Sequence, residues 1–482
     1  MLFNSINFAI FLPLVFLLYW FAAKGSTRLQ NILLLVASYY FYSCWDWRFL
    51  FLLVFSTLLD YLTGIKIYET GNRKRKLFWL WLSICINLGF LGVFKYYNFF
   101  AGSFRDALSL LGFKADFATL EVILPLGISF YTFHGLSYVI DLYRNRIVPE
   151  RNIINYSVFV CFFPLLVAGP IERATTLLPQ IIKKRVFDYH KAFDGSRQIL
   201  WGLFKKIVIA DNCDYYVSNI FDYYTYYAGG TLLLGAFLFT VQIYCDFSGY
   251  SDIALGSARL LGIELSRNFA FPYFSRNIAE FWRRWHISLT SWFRDYLYIP
   301  LGGSKGGIWI KVRNVFIIFI VSGFWHGPYW ICITWGLLNA FFILPSILLN
   351  TNRDYIEIVA KGRKLPSFNE FSSMIITFGL TVFAWIFFRS KDIHQAIDFC
   401  LRIFTFSFFD SPKILQDKLL LPVLCLIVIF FIFEWIGREQ QYALAKLGTR
   451  WKWPLRVAMY YSIVLAIYLF GGTQQQFIYF QF

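Results

Sequence analysis

The stretch FWRRWHISLTSWFRD, from Phe281 to Asp295, sets His286 among three arginines, an aspartate and three tryptophans. A second histidine, His326, lies between the apolar runs VFIIFIVSGFW and YWICITWGLLNAFFILP, separated from the latter by Gly327-Pro328. Both positions suit proton transfer. A hydroxyl is a poor nucleophile at neutral pH, and an imidazole that removes its proton as it attacks a thioester makes the reaction feasible. A second polar group can steady the oxyanion that develops. Other chemistries find less support. A catalytic metal needs a third ligand, and neither HExxH nor a Cys/His pair accompanies either histidine. Gly-x-Ser-x-Gly is absent, and no histidine begins an HxxxxD motif.

The elements that hold these residues follow from periodicity. At 100° per residue, Phe281, Trp292, Trp285, Tyr296, Leu289, Trp282, Phe293 and His286 fall in one arc of about 140°. Arg283, Arg284, Arg294 and Asp295 lie on the opposite face. The expectation is one interfacial helix with His286 at the seam. For His326, the roughly 38 residues from Val312 to Leu349 hold two spans with almost no connector. Pro328 disfavours helix in the residue before it. His326 is therefore expected at a tight turn or kink at membrane depth, where an ionisable group marks a functional site.

Composition fixes the class: of 482 residues, 58% are hydrophobic and only 15% charged, with a mean hydropathy of +0.55. This is expected to be an all-α, polytopic membrane protein. Besides an uncleaved first span at the N-terminus, apolar runs lie near 29–43, 49–64, 77–95, 120–140, 154–168, 230–247, 311–326, 329–349, 373–388, 418–436 and 455–471. They predict about 10 to 12 transmembrane helices. The net charge of +17 sits in short loops such as NRKRK at 72–76, a positive-inside pattern that argues against nucleic acid as partner. Basic loops place the N-terminus outside, but a full crossing at 154–168 would put Lys183–Lys206 on the wrong side. A re-entrant 154–168, or a further span after Lys206, repairs this. The eight cysteines form no CxxC and read as small core residues. Asp246 and Asp252 could line a cavity, and Asp60 reads as lying near the membrane edge. With no repeat or linker, 1–482 reads as one domain whose 281–327 region carries the chemistry.

The run EFWRRWHISLTSWFRDYLYIPLGGSKGG (Glu280–Gly307), followed by SGFWHG (Ser322–Gly327), resembles the signature of the membrane-bound O-acyltransferase (MBOAT) family, within it the bacterial branch that O-acetylates alginate and peptidoglycan. VAGPIERATTLLPQI (Val167–Ile181), CDFSGYSDIALGSARLLGI (Cys245–Ile263) and the ending FIYFQF extend the likeness over nearly the whole chain. The resemblance implies a ring of helices with re-entrant or interfacial segments around a central funnel. It implies that His326 is the essential histidine and His286 a second site, both catalytic, with Trp282, Arg283, Arg284, Trp285, Asp295, Trp325 and Asp246 contacting substrate. It implies no permanently bound cofactor and no metal. The acyl donor would be a cytoplasmic thioester, acetyl-CoA or an acyl carrier protein. The chain would sit in the bacterial inner membrane, among membrane lipid, and serve a cell-surface polysaccharide directly or through a periplasmic SGNH-type partner. A transporter or a non-catalytic scaffold of a polysaccharide-modifying complex stands as the alternative. A transporter should show a paired repeat, and none is visible.

Overall fold

The computed structural model describes residues 1–482 other than 115, 116, 118, 121, 122, 167, 168, 406–416, 473, 474, 476 and 478–482. Val167 and Ala168, and all of FIYFQF except Phe477, thus lie outside the described residues. Every regular element among the described residues is helical, with no strand. Helices are the solution lipid demands of an open chain, because each satisfies its own backbone hydrogen bonds. Seven of them are long and apolar enough to cross a membrane: Arg48–Glu69, Arg73–Leu110, Gly229–Leu260, Gly307–His326, Trp330–Leu348, Phe368–Arg389 and Leu420–Gly437. Three shorter apolar helices occupy Ile6–Ala22, Ile153–Leu166 and Trp453–Leu469.

The chain packs as two compact units, Met1–Ala192 with Ser257–Leu265, and Phe193–Gly256 with Ser266–Phe482. In the first, Asp60 sits mid-way along Arg48–Glu69 and is buried. It is not at a membrane edge as its sequence context suggested. Its carboxylate accepts hydrogen bonds from Ser83 Oγ (2.6 Å) and Asn87 Nδ2 (2.8 Å). A lone carboxylate inside an apolar run is tolerable only with such partners. The run at 154–168 is a nine-residue helix, Ile153–Cys161, broken at Phe162 before the four-residue Phe163–Leu166. At 1.5 Å per residue these pieces span about 20 Å, short of the roughly 30 Å hydrocarbon core. The run is thus too short for a full span, the condition that the re-entrant alternative sets. The cysteines divide: Cys161, Cys213, Cys245 and Cys332 are buried, Cys400 is half-buried, and Cys44, Cys85 and Cys425 are exposed, so the core reading holds for only some of them.

In the second unit, Gly307–His326 and Trp330–Leu348 form a tight hairpin. Two glycines allow it. A Cβ on Gly323 would collide with the carbonyl oxygen of Cys332, and one on Gly336 with that of Phe319. Small residues at helix crossings bring backbones into the close contact that stabilises packing in lipid.

Candidate active site

His326 is the last residue of its helix, followed by Gly327 with extended backbone, as the spacing of the two spans required. It is 4% exposed. Its ring packs edge-on against Trp325 (4.8 Å between centroids), Trp335 (5.1 Å) and Phe388 (5.5 Å).

His286 is placed differently from expectation. The stretch is not one helix but two, Ile278–Arg284 and Ile287–Phe293, with Trp285 extended and His286 left-handed (φ 43°, ψ 54°) between them. The face-by-face reading therefore holds only within each half. The first helix starts well, with Asn277 capping Glu280 N and arginines in its last turn, both favourable to the helix dipole. What stops it is a neighbouring extended segment. Ala270 N donates to Arg284 O and Ile287 N donates to Asn268 O, each at 2.9 Å. These bonds offset the roughly 1 kcal/mol or more that a non-glycine residue costs in the left-handed region. His286 is 1% exposed, ringed by Phe247 (4.7 Å), Trp325 (6.1 Å) and Phe269 (6.4 Å). Burial holds its imidazole far below the usual range, at about 3, so it is neutral at physiological pH.

Trp325 touches both histidines, and a larger aromatic cluster continues from them. Trp335 stacks on Trp385 (5.6 Å), Trp285 meets Trp385 (5.1 Å), and Trp282 meets Trp335 (5.7 Å) while its indole N–H donates to Asn339 Oδ1 (3.2 Å). Beside this cluster lies a mostly apolar cavity of about 370 Å³, lined by residues that include Trp282, Leu289, Phe293, Ile318, Phe319 and Ser322, with Arg283, Arg294 and Asn352 supplying polar groups. Ser322 stands one turn before His326 on the same helix.

The other candidates separate. Arg283 lines the cavity, its fork donating to the carbonyls of Asn352 (2.7 Å) and Tyr355 (2.8 Å). Arg284 turns to the buried Glu280 (2.8 Å), which also takes Arg276 (3.0 Å). Asp295 pairs with Arg294 (2.7 Å). Asp246 is buried against Lys206 (2.7 Å), whose ammonium also meets Asp211 (2.7 Å) and lies over the ring of Tyr250. The adjacent Lys205 pairs with Asp252 (2.6 Å). Asp246 and Asp252 are thus members of ion pairs, and neither lines the cavity at Trp282; Asp252 does line a small polar pocket with Lys205, Arg267, Asn268 and Glu434, as its sequence context allowed. Sequence reasoning singled out neither Asn268, Trp335, Trp385 nor the Lys205-Lys206 pair. The tandem lysines beside an apolar stretch were a readable signal; the others carry no local pattern.

Two buried histidines on one aromatic cluster, with an apolar cavity that reaches the cluster at Trp282 but is lined by neither histidine, suit acyl transfer within a many-helix membrane protein. The chain belongs to the MBOAT, membrane-bound O-acyltransferase, family, whose model matches residues 146–388 and so includes both histidines. It is 37% identical to the "Probable alginate O-acetylase AlgI" of Pseudomonas syringae pv. tomato over 92% of this chain and 83% of that one. It is 35% identical to the "Peptidoglycan O-acetyltransferase" of Helicobacter pylori over 82% of this chain and 78% of that one. The "Teichoic acid D-alanyltransferase" of Bacillus subtilis is 28% identical over 56% of this chain and 70% of its own.

Proposed function

We propose that this acyltransferase moves an acyl group, acetyl in the simplest case, from a cytoplasmic thioester through the bacterial inner membrane to a hydroxyl of a cell-surface polysaccharide. The donor would be acetyl-CoA or an acyl carrier protein, and the acceptor is reached directly or through a periplasmic SGNH-type partner that relays the group. The observation that carries this reading is that His286 and His326 pack against the same indole, Trp325, in an aromatic cluster whose Trp282 lines an apolar cavity with Arg283 and Arg294 among its polar groups. The names of the relatives support O-acetylation of a polymer over transport.

In this reading the acceptor hydroxyl attacks the thioester carbonyl while His326 takes its proton. The C–O bond forms, the C–S bond breaks, and the thiolate leaves to be protonated. His326→Ala and His326→Asn should abolish transfer without changing membrane abundance, since losing a general base removes typically 100- to 10,000-fold of rate. His286→Asn should keep measurable activity, because asparagine retains hydrogen-bonding capacity but is no base near neutral pH. The measurement is O-acyl content of the surface polymer, or thioester turnover by purified protein, at matched amounts. Normal transfer by the His326 variants would leave a scaffold as the better reading.

A further inference from the structure

We infer that Asn268 is a positioning residue that locks His286 as a hydrogen-bond acceptor, with Nδ1 carrying the proton and Nε2 offering its lone pair to an O–H group of the acceptor. The inference rests on the acyl-transfer reading for its functional half and on geometry alone for its tautomeric half.

The geometry begins with Ser288. Its backbone N–H, which can only donate, points at Asn268 Oδ1 (3.3 Å), and its hydroxyl reaches the same oxygen (3.0 Å). Rotating the amide would set its NH₂ group against that N–H, donor against donor. The N–H contact therefore sets the oxygen this way, with Asn268 Nδ2 left buried and without a hydrogen-bond partner among the described residues. The same oxygen lies 3.1 Å from His286 Nδ1, so Nδ1 bears the hydrogen. A neutral imidazole has one N–H, and Nε2 is then bare. Nε2 is buried without a hydrogen-bond partner among the described residues, an expensive condition that a substrate O–H would relieve.

The backbone reinforces the lock. Asn268 O accepts from Ile287 N, so one residue grips both the imidazole and the peptide that follows the left-handed turn. The ring's freedom to flip is thereby removed. The work divides accordingly: a neutral His286 has no hydrogen at Nε2 to give an oxyanion, so it orients the acceptor by binding a hydroxyl beside the reacting one, and oxyanion stabilisation falls to other groups.

Full-length protein labelled with ¹⁵N-histidine, in lipid nanodiscs, tests the tautomer without any assay of transfer. The His286 signals, assigned by their loss in His286→Asn, should show a protonated Nδ1 and a bare Nε2, unchanged from pH 5 to 8. An Nε2–H tautomer or an imidazolium in that range overturns the inference, whatever the enzyme transfers. Asn268→Leu should then lower kcat by about 10- to 100-fold, by analogy with the loss of partners that orient metal-bound histidines, with KM for the thioester within about twofold. Asn268→Asp, which sets a carboxylate behind the ring, should make His286 titrate and give the pH–rate profile a new acidic limb. Parental kcat in Asn268→Leu, or a wild-type pH profile in Asn268→Asp, overturns the positioning role. Should Asn268→Leu fail to fold, the tautomer and the aspartate profile decide.

Discussion

The indole of Trp325 stands 6.1 Å from the imidazole of His286 and 4.8 Å from that of its chain neighbour His326. It is a shared wall: FWRRWHISLTSWFRD and SGFWHG are separate stretches of the sequence, and one side chain joins their histidines. Trp325→Phe keeps an aromatic ring and should retain at least about a third of activity. Trp325→Ala removes the wall and, as a large-to-small change in a packed core, costs about 3–5 kcal/mol of stability. Turnover of the purified variants, compared with their melting temperatures, checks this. Equal activity in phenylalanine and alanine variants would show that the wall is dispensable.

Arg283 and Arg284 are adjacent but should respond differently to lysine. Lysine keeps charge without the planar fork. At 283 it cannot bridge the carbonyls of Asn352 and Tyr355, so the cavity wall loosens and KM for the thioester rises with little change in abundance. At 284 it leaves the buried Glu280 with less complete pairing, and the loss appears as instability. Glu280→Gln should be worse, near the roughly 3–5 kcal/mol of a broken buried pair. Thermal melts and steady-state kinetics on the three variants separate the two effects. Parental KM in Arg283→Lys would make that arginine a simple anchor.

Gly323→Ala and Gly336→Ala test the hairpin that delivers His326. Each added methyl meets a backbone oxygen that cannot swing away, an overpacking that typically costs about 1–3 kcal/mol. Activity should fall together with melting temperature in both. Gly379, whose Cβ would meet nothing, is the control: Gly379→Ala should match the parent or slightly exceed it in stability.

How much of this was readable in the sequence depended on how local its cause was. His326 was placed correctly because two apolar runs and a proline, all within about forty residues, force a turn there. The helical membrane class followed from composition alone. His286 was found but its backbone was misread, because the break at Trp285-His286 is imposed by Asn268 and Ala270, which no periodicity within the motif can reveal. Asp60 and Asp246 were visible as anomalies in apolar runs. Their partners, Ser83 with Asn87 and Lys206 with Asp211, lie tens of residues away, so whether each carboxylate meets a substrate or the protein was open.

The Lys206 cluster gives the last prediction, about pH. One ammonium serves two carboxylates, Asp211 and Asp246. Burial, with Asp246 alongside and opposed by Lys206, pushes the Asp211 carboxyl from an ordinary 3.8 up to about 7. Between those values the folded protein holds a proton that the unfolded chain has released. Stability then falls as pH rises through that window, since it moves with the difference in protons bound by the unfolded and native states. This contribution is fully present below about pH 4 and gone above about pH 7. Asp211→Asn keeps the Lys206–Asp246 pair one-to-one and removes the titrating group. Melting temperature measured from pH 5 to 7.5 should decline more steeply for the parent than for Asp211→Asn, the two curves diverging toward neutral pH in favour of the variant. Parallel curves would mean that Asp211 is ionised throughout, with Lys206 satisfying both carboxylates. Lys206→Met supplies the converse, stranding two buried acids, and should destabilise most at the alkaline end of the range, where both must ionise or remain protonated at growing cost.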